Sequence, residues 1–233
     1  MSDQIYNWKR FWCPRGANIN LSDGGYLSDP DSEWGHILNP KVVPFESIAE
    51  IPCLALLGEP GIGKSHTMEA ERKVVEDKIR KEGDQLLWLN LRSYGDEKRL
   101  VCDLFESTEF DSWTTGNHRL HVSLDSLDEC LLRIDTLAVL LIDKFKKYLS
   151  IEKHPYIRIA CRTADWPTSL EDGLKELWGN DAVGVYEMAP LRRVDVIEAA
   201  RTKNLNPDAF LNEVDNKEVV PLAIKPITLG FLL

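Results

Sequence analysis

The chain has 233 residues, of which 43% are hydrophobic and 28% charged, and its formal net charge is -10. That composition suits one large globular domain, or one domain with a small partner. It matches nucleic acid poorly in charge, holds no run of the roughly 18 apolar residues that a membrane span needs, and opens on Met1-Ser2-Asp3-Gln4, which is no signal peptide.

The five cysteines, Cys13, Cys53, Cys102, Cys130 and Cys161, are scattered without C-x-x-C spacing. They read as reduced thiols of a cytoplasmic protein, several of them core residues. His118 and His121 lack further ligands at a spacing suited to zinc.

Residues 1–48 form an irregular, aromatic-rich lead-in. Trp8, Trp12 and Trp34 lie among turn signals such as Asp23-Gly24-Gly25 and Asp29-Pro30-Asp31. The tryptophans need burial and are expected to pin the segment to the body.

From Ile51 the pattern alternates between strand and helix. Strand-length apolar runs fall at 53–57, 86–91, 121–124, 156–161 and 183–188. Residues 65–82 predict a solvated helix ending at Gly83, with pairs Glu76/Arg80 and Asp77/Lys81 at i and i+4. Ile134, Leu137, Ala138, Leu141, Phe145, Tyr148 and Leu149 trace a helical stripe, and further helices are expected over 168–178 and 194–203. This alternation predicts an α/β fold, with three layers around a mainly parallel five-stranded sheet over 49–204. Such a sheet binds ligands beyond the carboxyl ends of its strands. After Pro207 the pattern is helical only, which reads 205–233 as the start of a small helical domain. Its apolar close, Ile227 to Leu233, fits either a last docked helix or a longer chain cut within a helical region.

Three motifs sit at predicted strand ends. The first, Gly58-Glu59-Pro60-Gly61-Ile62-Gly63-Lys64-Ser65, fits the phosphate-loop pattern G-x-x-x-x-G-K-[ST]. Its glycines let backbone wrap a phosphate, and the helix that follows, through His66, directs its N-terminal N–H groups at the anion. Lys64 would reach the β- and γ-phosphates, and Ser65 would ligate magnesium. The second motif, Val122 to Glu129, delivers Asp125 at a strand end as a second magnesium ligand. Glu129 is the first candidate to polarise an attacking water, and Asp128 the second. A plain solvated helix start would also account for these acids. The third motif ends a strand in Arg162, a candidate for γ-phosphate recognition. Alternatively, Arg162 pairs with Asp165 or Asp125 as structural support.

Together these motifs resemble the NACHT family of STAND signalling ATPases. Ser126-Leu127-Asp128-Glu129 has the form in which that family's Walker B strand continues, and Arg162 matches its sensor-1 arginine. Tyr186 to Leu191, followed by Asp195, resembles the last core strand and its helix. Pro226 resembles the proline that opens a helix near the adenine. The likeness covers roughly residues 50–233 and implies a P-loop NTPase fold with ATP or ADP and Mg2+. It also implies self-association in the ATP-bound form and an effector or sensor region that these residues do not show. A phosphotransferase would use the same loop but needs an acceptor pocket and an Arg-bearing lid, and no lid-like insertion rich in Arg is seen. A non-enzymatic scaffold would bind nucleotide without turnover.

Overall fold

A computed structural model of the chain describes residues 8–148 and 153–233, except for the side chains at 74, 78, 80 and 81. The pairs Glu76/Arg80 and Asp77/Lys81, the Leu149 end of the stripe and Met1 to Gln4 lie outside the described residues. Seven strands occur in chain order: β1 (Phe11–Pro14), β2 (Val43–Pro44), β3 (Cys53–Leu57), β4 (Gln85–Asn90), β5 (Leu120–Asp125), β6 (Tyr156–Cys161) and β7 (Val183–Met188). They form one sheet in the order β2-β1-β7-β3-β6-β5-β4. The sheet therefore has seven strands rather than five, because the lead-in supplies β1 and β2. Those two are short, carry Pro14 and Pro44, and pair antiparallel with Phe11 opposite Pro44.

The chain divides into two units. One comprises Glu50–Glu59 and Lys64–Tyr186. Within it β3 pairs parallel with β6, β6 with β5 and β5 with β4. Every residue of β3 is buried, as a central strand requires when helices cover both faces of a parallel sheet. Its core joins strand residues such as Leu57, Leu89, Leu124 and Ile159 to Phe105, Phe110 and Phe145 from the helices. Phe105 meets Phe110 and Phe145 edge-on, at centroid distances of 5.3 and 5.0 Å. Helix Lys64–Glu82 follows β3 and stops at Gly83, whose N–H returns to Ile79. Helices Glu97–Phe105 and Thr108–Thr115 fill the link between β4 and β5 and went unread in the sequence. Asp96 and Ser107 cap them by accepting from the N–H groups of Arg99 and Phe110. Helices Leu137–Tyr148 and Thr168–Trp178 lie at the expected positions.

The other unit gathers the described residues up to Ala49 with Pro60–Gly63 and Glu187–Leu233. Tyr26, Leu191, Val196, Ala199, Val214 and Leu229 form one of its cores, and Phe11, Leu27 and Ala189 belong to another. Trp12 is fully buried, but Trp34 is 70% exposed, so the expectation of burial fails for Trp34. Helices Pro207–Asn216, Val220–Ala223 and Pro226–Leu232 make the end of the described chain helical, as expected. Helix Arg193–Thr202 opens on a buried ion pair: Asp195 accepts from the Arg192 backbone N–H (2.9 Å), from Nε (3.1 Å) and from Nη2 (2.7 Å). Burial opposes the Arg192 charge, but Asp195 and Asp29 outweigh it and raise the guanidinium pKa above its ordinary value. Among the described residues no helix is long and apolar enough to cross a membrane.

Asp195→Ala would leave the Arg192 charge with Asp29 as its main partner. It should destabilise the protein by about 3 kcal/mol, the lower end for a broken buried pair. Urea denaturation of parent and variant checks this.

Candidate nucleotide site

β3 ends at Leu57, the buried Gly58 follows, and the next helix begins at Lys64. Between them Gly61 and Gly63 hold φ of +76° and +103°, in the left-handed region that glycine adopts without strain. Gly61 also has no room for a side chain, since a Cβ there would clash with Ile227. The Ile227 N–H donates to the Gly61 carbonyl at 3.3 Å. A Cβ on Gly63 would lie 3.6 Å from Cγ of Pro226 and 3.2 Å from Nη1 of Arg10. Pro226 therefore stands at the loop apex, with its neighbour Ile227 making the tighter contact. Arg10 donates to the Ile62 carbonyl (2.9 Å) and to the Ala189 carbonyl (2.8 Å). Sequence reasoning missed Arg10, because nothing local in Trp8-Lys9-Arg10-Phe11 separates it from Lys9.

Glu59, Pro60, Ser65 and His66 are exposed, whereas Ile62 is buried. Lys64 folds back so that its ammonium donates to the Gly58 carbonyl (2.5 Å) and the Glu59 carbonyl (3.2 Å). Burial lowers its pKa, opposed by the charges of Asp128 and Asp125. An anion at the loop would offset that cost by favouring the charged ammonium.

Asp125 ends β5 and is 6% exposed. It lies two strands from β3, with β6 between them. Ser65 Oγ still reaches it, donating to Oδ1 at 3.4 Å. Burial raises the Asp125 pKa, against hydrogen bonds from Ser65 and from the backbone and hydroxyl of Ser126. Ser126 takes the left-handed conformation, φ 63° and ψ 47°, which is uncommon for a residue with a side chain. That turn ends the strand at Asp125 and starts helix Leu127–Leu131 at once. The Ser65 and Asp125 oxygens fit a hard cation. Neighbouring oxygens around an octahedral Mg2+ with ~2.1 Å bonds stand about 3 Å apart, and the charge of Arg92 only partly offsets the burial of the carboxylate. Among the described residues no group of three or more His, Cys, Asp or Glu side chains could hold a metal, so phosphate or water oxygens would complete the shell.

The acids after Asp125 have different environments. Asp128 is 7% exposed, and it accepts from the Arg162 backbone N–H at 3.2 Å and from Arg162 Nε at 2.8 Å. Arg162 thus pairs with Asp128, not with Asp165 or Asp125 as the structural alternative expected. Glu129 is less buried and meets Arg92 Nη2 at 2.8 Å. Arg92 follows β4 in a short turn of helix, Leu91–Ser93, and sequence reasoning missed it too. Its one legible signal was Asn90, which caps that turn by accepting from the Arg92 N–H. Beside the loop strand, β6 ends in Cys161, whose thiol pKa is pushed up to about 12 by burial and by the charge of Asp128. That thiol stays protonated and is no nucleophile.

No protein-family model matches the chain, and no curated protein matches it in sequence. Solved structures similar to it include the Aeropyrum pernix ORC2 protein in ADPNP–ADP complexes, at 13% identity and TM-score 0.42, over 71% of this chain and 52% of that one. C. elegans PCH-2 aligns at 16% identity and TM-score 0.43, over 69% of this chain and 42% of that one. The Walker-type ATPase PABY2304 of Pyrococcus abyssi aligns at 16% identity and TM-score 0.44, over 92% and 69%. The chain spans about half the length of the first of these and less of the second.

Two predictions follow from the buried acids. Arg162→Ala removes the charged partner of Asp128 but keeps the backbone N–H that it accepts from, and should cost about 1–3 kcal/mol, held down because the arginine is partly exposed. With Asp128→Asn in the same chain the loss should be smaller than the sum of the two single losses, which a double-mutant cycle by urea denaturation reads. For Asp125 the folded pKa lies above the unfolded value of 3.8. Its contribution to stability is therefore full below 3.8 and is lost as pH rises through the folded value. Relative to Asp125→Asn, the ligand-free parent should lose stability from about pH 4 upward until the carboxyl is ionised, then hold level.

Proposed function

We propose that this chain binds ATP with Mg2+ and hydrolyses it slowly, as a signalling switch of the NACHT-type STAND class. The observation that carries the reading is the meeting of Lys64, Ser65 and Asp125: a phosphate-loop lysine and serine that open the helix after β3, with the serine 3.4 Å from a buried carboxylate of β5. The loop glycines and the N-terminus of helix Lys64–Glu82 would receive the phosphates. Lys64 would leave its loop carbonyls for the β- and γ-phosphates. Ser65 and Asp125 would hold Mg2+, which supplies charge neutralisation to the phosphates.

Glu129 is the better candidate to orient the attacking water, since Asp128 is occupied by Arg162. Arg92 fixes the Glu129 carboxylate without burying it completely. The water attacks the γ-phosphorus, the bond to the bridging oxygen breaks, and ADP and phosphate result. Arg162, 41% exposed at its side chain, can exchange part of its pairing with Asp128 for the γ-phosphate. A contact made with ATP and lost with ADP is the physical requirement of a switch. ATP as the nucleotide, self-association in the ATP form, a bacterial defence or regulatory role and a separate effector or sensor region rest on the NACHT resemblance. The same resemblance supports reading 205–233 as the start of an adjoining helical domain.

Lys64→Ala should lower Mg-ATP affinity by tenfold or more, about 1.4 kcal/mol or more. Glu129→Gln should keep affinity within a few-fold while phosphate release drops by about 10²–10⁴. Equilibrium binding of a fluorescent ATP analogue and a phosphate-release assay read the two effects. Lys64→Ala binding as tightly as the parent would sink the assignment of the site.

A further inference from the structure

The phosphate loop has a second, overlooked cation. Arg10 spans two main-chain carbonyls, Ile62 at 2.9 Å and Ala189 at 2.8 Å. Its neighbour Phe11 accepts at its carbonyl from the Ala189 N–H at 2.9 Å, so the Arg10–Phe11 backbone is locked beside the end of β7. Among the described residues no carboxylate forms an ion pair with Arg10. Burial pulls its pKa down to about 10, and the nearby charge of Asp195 only partly offsets this. Asp195 is itself committed to Arg192. Arg10 is therefore a guanidinium whose desolvation no direct counter-charge compensates, beside the apex of the loop.

The position of the contact gives it a consequence. The Ile62 carbonyl belongs to the same peptide unit as the Gly63 N–H. A charged donor on that carbonyl polarises the peptide and strengthens its N–H as a donor. It also fixes the plane of a peptide that flanks the +103° turn at Gly63. Ile62 is buried, so the unit has little freedom to reorient.

We propose that Arg10 is a positioning residue for the phosphate loop, acting through the Ile62–Gly63 peptide and coupling strand β1 of the lead-in to phosphate occupancy. This rests on the reading of the loop as a nucleotide site. A bound phosphate supplies the missing counter-charge, so it tightens the Arg10 bridge and with it the pairing of Phe11 with Ala189. A lead-in that only packed against the protein would not respond to nucleotide.

The test uses the parent chain, Arg10→Lys and Arg10→Gln. Amide hydrogen exchange across β1 is measured with and without saturating Mg-ATP, and affinity is measured by equilibrium binding. In the parent, Mg-ATP should slow exchange at β1. In Arg10→Gln, affinity should fall by about 5–150-fold, and exchange at β1 should no longer respond at saturation. Arg10→Lys keeps the charge but cannot bridge both carbonyls with a planar fork, so it should recover part of the affinity and little of the exchange response. If Arg10→Gln fails to fold, Arg10→Lys decides the matter: parental affinity together with a full exchange response overturns the proposal. A parent that binds nucleotide with no response at β1 overturns the Arg10 proposal alone. A parent that binds no nucleotide overturns it together with the site reading on which it rests.

Discussion

The parallel pairing of β3, β6 and β5 is the constraint on which the candidate site depends. Parallel strands in register bring their carboxyl ends to the same edge of a sheet. Here the edge receives the phosphate loop from β3, Arg162 from β6 and Asp125 from β5. Leu57 stands opposite Cys161, and Leu124 stands opposite Ile159. A slip of one residue in either pairing would turn alternate side chains to the other face and separate these groups. The complete burial of β3 makes such a slip costly, so the hydrophobic core fixes the chemistry at the edge.

Two charges at this edge are held against the cost of burial. Burial disfavours the charged forms of both Lys64 and Asp125, shifting the ammonium pKa down and the carboxyl pKa up. These are opposite corrections for opposite charges, and neighbouring charges offset each only in part. A polyphosphate with a divalent cation brings an anion for the first group and a cation for the second. Under the proposed function, the two groups would receive a composite ligand rather than either ion alone. The left-handed Ser126 ends the strand at Asp125 at the cost of local strain.

Much of this was legible in the sequence because it is local. The loop pattern, the apolar run that ends in Asp125 and the Pro207 start of the helical segment are all carried by adjacent residues. Strands β3, β6 and β7 fall at the expected bounds for that reason. What escaped is non-local. β1 is four residues long and contains a proline, and the partners that make it a strand lie elsewhere in the chain. The Arg92–Glu129 and Arg162–Asp128 pairs join residues 37 and 34 positions apart along the chain. Spacing cannot choose among several nearby carboxylates, which is why Asp165 and Asp125 looked as suitable for Arg162. Helices Glu97–Phe105 and Thr108–Thr115 are a different failure. Their caps, Asp96 and Ser107, and their buried Leu100, Leu104, Phe110 and Trp113 were readable, but each helix is short and charged enough to pass for a loop.

The contrast between Asp128 and Glu129 bears on what the edge does. Two adjacent acids on one turn of helix point in different directions, about 100° apart around the axis. One is turned to the end of β6 and neutralised by Arg162, a role that stabilises the fold and ties β6 to the short helix after β5. The other is turned toward Arg92 at the end of β4 and keeps part of its surface in solvent. A group that must engage water needs that access, and a group that must hold two strand ends together needs burial. Their surroundings differ accordingly: Asp128 is buried against Arg162, and Glu129 is less buried beside Arg92. Under the proposed function Arg162 would have two partners of like sign, Asp128 and an incoming γ-phosphate. Competition between them would then make the state of the nucleotide felt by the strand that carries the arginine.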